Sequence, residues 1–162
     1  MSLGQWTKTR IVYCQDGKRR ASYEHTEFTF LGFTFRQRRA QGRNGKRFSS
    51  FLPAICRDAL KKINAEVHSW RLHRRTGQDL ADIARDINPV VQGWMNYYGS
   101  FYRTAMYPVL SRINAYLVRW IRKKYERLRA KRKAFRCWRG IVQRFPAMVA
   151  HWEWVSSVLS VW

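Results

Sequence analysis

Residues 119 to 139 read RWIRKKYERLRAKRKAFRCWR, and the chemistry such a stretch can do is to hold phosphate. It carries eleven cations, Arg119, Arg122, Lys123, Lys124, Arg127, Arg129, Lys131, Arg132, Lys133, Arg136 and Arg139, against one acid, Glu126. Like charges three and four residues apart weaken a helix, and a solvated face normally mixes both signs, so an external polyanion is expected to offset the repulsion. Arginine dominates the run, and its planar guanidinium makes bidentate phosphate contacts. Trp120, Tyr125, Phe135 and Trp138 interleave with the cations. Tyr125 and Trp138 are the candidates for stacking on unpaired bases, whereas Trp120 is expected in the core. A second basic patch, Arg36, Arg38, Arg39, Arg43, Lys46 and Arg47, surrounds an expected turn, and Arg39, Arg43, Lys46 and Arg47 join the candidate nucleic-acid contacts.

Other chemistries find little support. Asp79, Asp82 and Asp86 fall on one expected helix, but complementing a helix dipole and partly neutralising the cations account for them without a metal. No Asp-Asp pair, glycine-rich phosphate loop, Cys-His or Ser-His pairing is legible. Cys14, Cys56 and Cys137 lie far apart, and His25, His68, His73 and His151 do not combine with them at zinc spacing, so no metal and no cofactor is expected. This cysteine usage suits a reducing, cytoplasmic setting. The whole chain of 162 residues has a formal charge of +22, which favours nucleic acid as partner over an acidic membrane surface. No apolar run long enough to span a bilayer is present, and the first residues lack a signal-peptide core.

The elements that must position these charges follow from periodicity. Residues 9 to 52 read as a small antiparallel sheet: a strand at 9–14, a second over EFTFLGFTFR with a close-packed Gly32, then a basic turn and a short return strand. After Pro53 the apolar period becomes helical. The expected helices are Ala54 to Arg74, a short one capped by Thr76 and running to Asp86, Pro89 to Tyr102, Ala105 to Ala130, and Phe135 to Phe145 before Pro146. Asn88-Pro89 is expected to break the chain between the second and third. The third helix, within INPVVQGWMNYYGSFY, concentrates Trp94, Tyr97, Tyr98 and Phe101 over a wide arc; Trp94 and Tyr98 are expected to fill a bundle core rather than stack on bases, with Gly93 admitting a neighbouring helix. The fold class is α+β and mostly α, the sheet being followed by a helical bundle with a long basic helix.

The blocks KTRIVYC, FTFLGFTFR, FLPAI, INPVVQGWMNYYGSFY and RWIRKKYERLR resemble, in order and approximate spacing, the C-terminal part of bacterial group II intron-encoded reverse transcriptase/maturases. The Asn88-Pro89, Gly93-Trp94 and Asn96-Tyr97-Tyr98 motifs are similar to the signature of the maturase-specific domain, also called X or thumb. The resemblance divides the chain into a remnant of the polymerase palm (1–52), the maturase-specific domain (53–152) and a divergent tail (153–162). It implies binding of group II intron RNA to assist its folding and splicing, with a DNA target or primer-template as a further partner when the polymerase is present. Two departures stand out: Cys56 occupies a usual serine position, and the family's Tyr-Ala-Asp-Asp metal site is not matched here. The chain is therefore expected not to polymerise by itself. Two other readings remain, the C-terminal half of a split polymerase that needs a palm and fingers fragment in trans, and a general basic DNA-binding module.

Overall fold

In the computed structural model, which describes residues 11–14, 23–42 and 44–155, a three-stranded antiparallel sheet leads into stacked helices, an α+β fold that is mostly helical. The stretch expected as one strand around Gly32 reverses instead. β1 (Phe28–Phe30) pairs with β2 (Phe33–Gln41), and Phe30 faces Phe33. Between them Leu31 and Gly32 have φ of 48° and 81°, the positive values that let a two-residue turn match the strand twist. Glycine adopts this freely, but leucine does not, and outside contacts hold the turn. The Tyr97 hydroxyl donates to the Leu31 carbonyl at 3.0 Å, and the Cys56 amide donates to the Gly32 carbonyl at 2.8 Å. A Cβ at Gly32 would meet the Tyr98 ring at 3.3 Å, so the expected close packing is real but belongs to a reversal.

β3 (Arg47–Ile55) completes the sheet, pairing with β2 from Gln41 opposite Arg47 to Phe33 opposite Ile55. Pro53 is tolerated because β3, among the described residues, has only β2 as partner. Of the strand expected at 9–14, Thr9 and Arg10 lie outside the described residues. Ile11 to Cys14 form no strand; the Tyr13 amide donates to the His25 carbonyl at 2.9 Å and its ring stacks on Tyr23.

Ala54 and Ile55 end β3 rather than start a helix. α1 (Arg57–Ser69) begins three residues later than expected, with the Cys56 sulfur accepting from the Ala59 amide at 3.3 Å. It stops before Arg74, because Arg71 turns left-handed (φ 46°) and Leu72–Arg74 form a 3-10 turn.

The two helices expected on either side of Asn88-Pro89 are one, α2 (Leu80–Tyr98). Asp79 is its N-cap in place of Thr76, and the Asp82 carboxylate accepts from the Asp79 amide at 3.3 Å. An internal proline costs about 3 kcal/mol. Against this, Ile83, Ile87, Val91 and Met95 are all buried along one stripe, each worth roughly 1.5–3 kcal/mol, so burial carries the helix through. Pro89 and Arg85 lie on the exposed side, where water can serve the carbonyl that proline leaves unpaired. Phe101 and Tyr102 fall beyond the helix end. The ring of Trp154 lies against Gly99, where no side chain would fit. Gly93 is exposed and no described residue approaches it, so no described helix packs there.

The long basic helix is also different from expectation. α3 (Tyr107–Lys124) ends at Tyr125, which is extended; a 3-10 turn (Glu126–Leu128) follows, then α4 (Lys131–Arg144). A continuous helix would turn Ala134 roughly 220° away from Ile121 at about 100° per residue, pointing one of them into solvent. The corner lets Ile121, Ala134, Trp138 and Val142 share one core. α3 is central to that core, packing against α1, α4, the turn at Leu72–Arg74 and the short α5 (Trp152–Val155). Trp152 and, from the expected tail, Val155 are fully buried in that core.

Candidate nucleic-acid interface

The cations of residues 119 to 139 are distributed over the end of α3, the corner and α4. Their roles differ. The Lys124 ammonium turns inward, donating to the Gln78 carbonyl at 2.6 Å and the Asp79 carboxylate at 2.8 Å, 5.2 Å from the centre of the Trp120 ring. It fastens the end of α3 to the start of α2. Trp120 reinforces the same joint, its Nε1 donating to the Arg75 carbonyl at 2.8 Å. Arg122 spans the corner, its Nε donating to the Arg129 carbonyl at 2.8 Å. Lys124, one of the residues expected to meet phosphate, is thus occupied inside the protein.

The remaining cations face outward. Arg119, Lys123, Arg127, Arg129, Lys131, Arg132, Lys133, Arg136 and Arg139 are exposed, and among the described residues no carboxylate comes within ion-pair distance of them. On α4 the helical period sets Arg132, Arg136 and Arg139 opposite the buried Ala134, Trp138 and Val142. The start of α4 is electrostatically unusual. Its first turn is Lys131-Arg132-Lys133, with no acid and no side-chain cap on Ala130. Positive side chains there oppose the helix dipole, and the free amides of that turn attract anions. Both features are unfavourable in the free protein and favourable beside a phosphate.

Of the two stacking candidates, Trp138 is buried, 1% exposed, and packs edge-on against Trp152; it cannot meet a base. Tyr125 is 46% exposed at the corner, edge-on to the buried Trp120. Two exposed cations that periodicity alone did not single out join the outward-facing set: Arg74, near Arg119 and Lys123, and Arg112, earlier on α3. Arg112 could have been found from its place on the α3 stripe with Tyr116, Arg119 and Lys123; Arg74 is brought there by the 3-10 turn.

The sheet patch is separate. Arg39, Lys46 and Arg47 are exposed near the far tip of the β2–β3 hairpin, and Arg43 lies outside the described residues. At about 3.4 Å per residue, the nine residues of β2 place that tip about 27 Å along the strand from Phe33. Arg36 faces Glu27 at 3.9 Å, and Arg38 donates to the Leu52 and Thr34 carbonyls while lying over Tyr102.

The aromatic stretch of α2 joins the sheet to the helices. Phe33 packs against Tyr97, Tyr98 and Phe101 with ring centroids 5.2 to 5.6 Å apart. Trp94 stacks on Trp70 at 5.5 Å and only 7° from parallel, half-buried rather than central to the core. Asn88 acts elsewhere: its side chain donates to the Met148 carbonyl at 2.9 Å and accepts from the Ala150 amide at 3.0 Å.

Residues 60–138 match the family model of the group II intron, maturase-specific domain. The matched span begins within α1 and ends at Trp138, so it contains α2, α3, the corner, and all of the candidate cations of that region except Arg139. Asn88, Pro89, Gly93, Trp94, Tyr97 and Tyr98 fall inside the maturase-specific span; the sheet and α5 fall outside it. The matched domain is not in itself a catalytic one. No curated protein and no solved structure matches the chain. Among the described residues no helix is long and apolar enough to cross a membrane, and no group of acids, cysteines and histidines could hold a metal ion.

Proposed function

We propose that the chain is a maturase module that binds group II intron RNA and assists its folding and splicing, without a reaction of its own. The observation that carries this reading is the corner between α3 and α4. It lies within the maturase-specific span and gathers exposed cations that have no acidic partner among the described residues around an uncapped, positively charged helix start. Arginine forks supply phosphate contacts, and Tyr125 offers a ring to an unpaired base. The reading is tested by titrating the protein with a group II intron transcript at several salt concentrations, with duplex DNA as competitor. Neutralising about six phosphates predicts roughly a thousandfold loss of affinity between 50 and 200 mM salt. An affinity flat in salt removes the reading, and duplex DNA competing as well as the transcript favours a general DNA-binding module.

A second reading has its own support in the sheet. Phe28 and Phe30, which share one face of the sheet, and Leu31 at the turn beside them are exposed, an apolar surface that another polypeptide would cover. On this reading the chain is the C-terminal half of a split polymerase, gripping a primer-template once a palm and fingers fragment binds in trans. Co-purification with such a fragment, lost on changing Phe30 and Leu31 to Ser, is the expected result.

A further inference from the structure

Beside the corner, α3 and the turn after α1 bring a second set of cations together, with His68 of α1 beside them. The turn Leu72–Arg74 is pressed onto α3 by Leu72, which is fully buried, and is entered through the left-handed Arg71. This geometry lays the His73 ring along Tyr116, centroids 6.0 Å apart and 21° from parallel, while the Arg119 guanidinium sits 5.8 Å from the centre of the same tyrosine. Arg112, Tyr116, Arg119 and Lys123 recur at helical spacing along one stripe of α3. The groups acting on His73 are all cationic or neutral: His68 from α1, Arg74 from its own turn, Arg119, Lys123 and Tyr116 from α3. Among the described residues, none of Arg74, Arg112, Arg119 and Lys123 has a carboxylate within ion-pair distance, and His73 Nδ1 is buried without a hydrogen-bond partner.

We infer that His68, His73, Arg74, Arg112, Arg119 and Lys123 form a second RNA-phosphate surface on the flank of α3, continuous with the corner through Arg119 and Lys123. This rests on the RNA-binding reading above and extends it to residues of α1 and the following turn. The physical case is repulsion without relief. Burial first, and then Lys123, Arg119, Arg74 and His68, hold the His73 imidazole below its ordinary pKa, so the free protein disfavours its protonated form. A phosphate set among these groups cancels their mutual repulsion and reverses the field at the ring. His73 then takes up a proton on binding, and by linkage the affinity for RNA rises as pH falls.

The experiment uses the full chain and a group II intron transcript at fixed salt. Dissociation constants are measured from about pH 8 to about pH 6, the histidine range, for the wild type, His73→Gln, His68→Gln, the double variant Arg74→Gln/Arg112→Gln, and the corner variant Arg132→Gln/Arg136→Gln/Arg139→Gln. A parallel salt series gives the slope for each protein. Imidazole NMR follows the His73 titration with and without RNA. Arg74 and Arg112 are exposed, and a thermal melt of each variant checks that the fold is intact. The expected results are a several-fold weaker complex for Arg74→Gln/Arg112→Gln, a salt slope flatter by roughly 0.7 to 0.9 for each phosphate no longer neutralised, and a His73 titration moved upward by RNA. The affinity gain at lower pH should shrink in His73→Gln by more than in His68→Gln. If the corner variant loses affinity while the flank variant keeps its affinity and slope and His73 titrates unchanged, the flank surface is refuted and the corner stands. If the wild type binds no RNA, both fall together.

Discussion

The Asn88 side chain grips the backbone at Met148 from sixty residues away, its amide donating to that carbonyl at 2.9 Å while its oxygen accepts from the Ala150 amide at 3.0 Å. An asparagine side chain carries the same donor and acceptor as a peptide group, so one residue closes two backbone positions that precede α5. The asparagine of the Asn-Pro pair is therefore a clasp for the last buried segment, where Val149, His151, Trp152 and Val155 complete the core.

Asn88→Ala should loosen that segment. Leaving a partly buried carbonyl and amide unpaired costs about 1–3 kcal/mol. Thermal melting should fall accordingly, and hydrogen exchange at the Ala150 amide should accelerate more than exchange in α1. Asn88→Asp keeps the acceptor and loses the donor, so it should also destabilise; unchanged exchange at Ala150 in the alanine variant would refute the clasp.

Lys124 and the outward face of α4 should respond in opposite ways. Lys124→Met removes the donor to the Gln78 carbonyl, and although the Asp79 pair is itself worth only about 0–1 kcal/mol at so exposed a carboxylate, the unpaired carbonyl should lower melting. Arg132→Gln/Arg136→Gln/Arg139→Gln should leave melting unchanged or raised, because it relieves like-charge repulsion, and should flatten the salt dependence of RNA binding. Equal melting losses in both variants would contradict this division.

Cys56→Ser should stabilise the fold modestly. The cysteine sulfur is a weak acceptor for the Ala59 amide at 3.3 Å, whereas serine is among the strongest N-cap residues, and a change from a poor to a good cap is worth about 0.5–2 kcal/mol. A higher denaturation midpoint with an unchanged slope is the expected outcome.

Acid should act on the fold through His151. It is fully buried, 2.7 Å from the Asn114 side-chain oxygen, and burial pushes its pKa down to about 3. With an unfolded value near 6.5, the unfolded chain binds a proton that the folded one refuses. The associated stability is complete above about pH 6.5 and is lost as pH falls toward about 3, by up to about 1.4 kcal/mol per unit. His151→Gln should melt with a shallower pH dependence across that window; parallel curves would locate the acid sensitivity elsewhere.

What the sequence determined alone was whatever depends on local order. Apolar periodicity marked the buried stripes of α1 and α3, the lopsided run from Arg119 to Arg139 pointed to a polyanion, and Trp120 was assignable to the core. Tertiary structure decided where local preferences lost. Proline's cost of about 3 kcal/mol at Pro89 is smaller than the burial of Ile83, Ile87, Val91 and Met95, so a sequence signal for a break yields one helix. The break at Tyr125 has no glycine or proline to announce it; it follows from the need of Ile121 and Trp138 to reach one core. Charge told which residues were cationic but not which were free. Lys124 is taken by Gln78 and Asp79, and His73 is set beside Arg119 and Lys123 of α3, because approach across tens of residues fixes a side chain's partners and no local pattern encodes it.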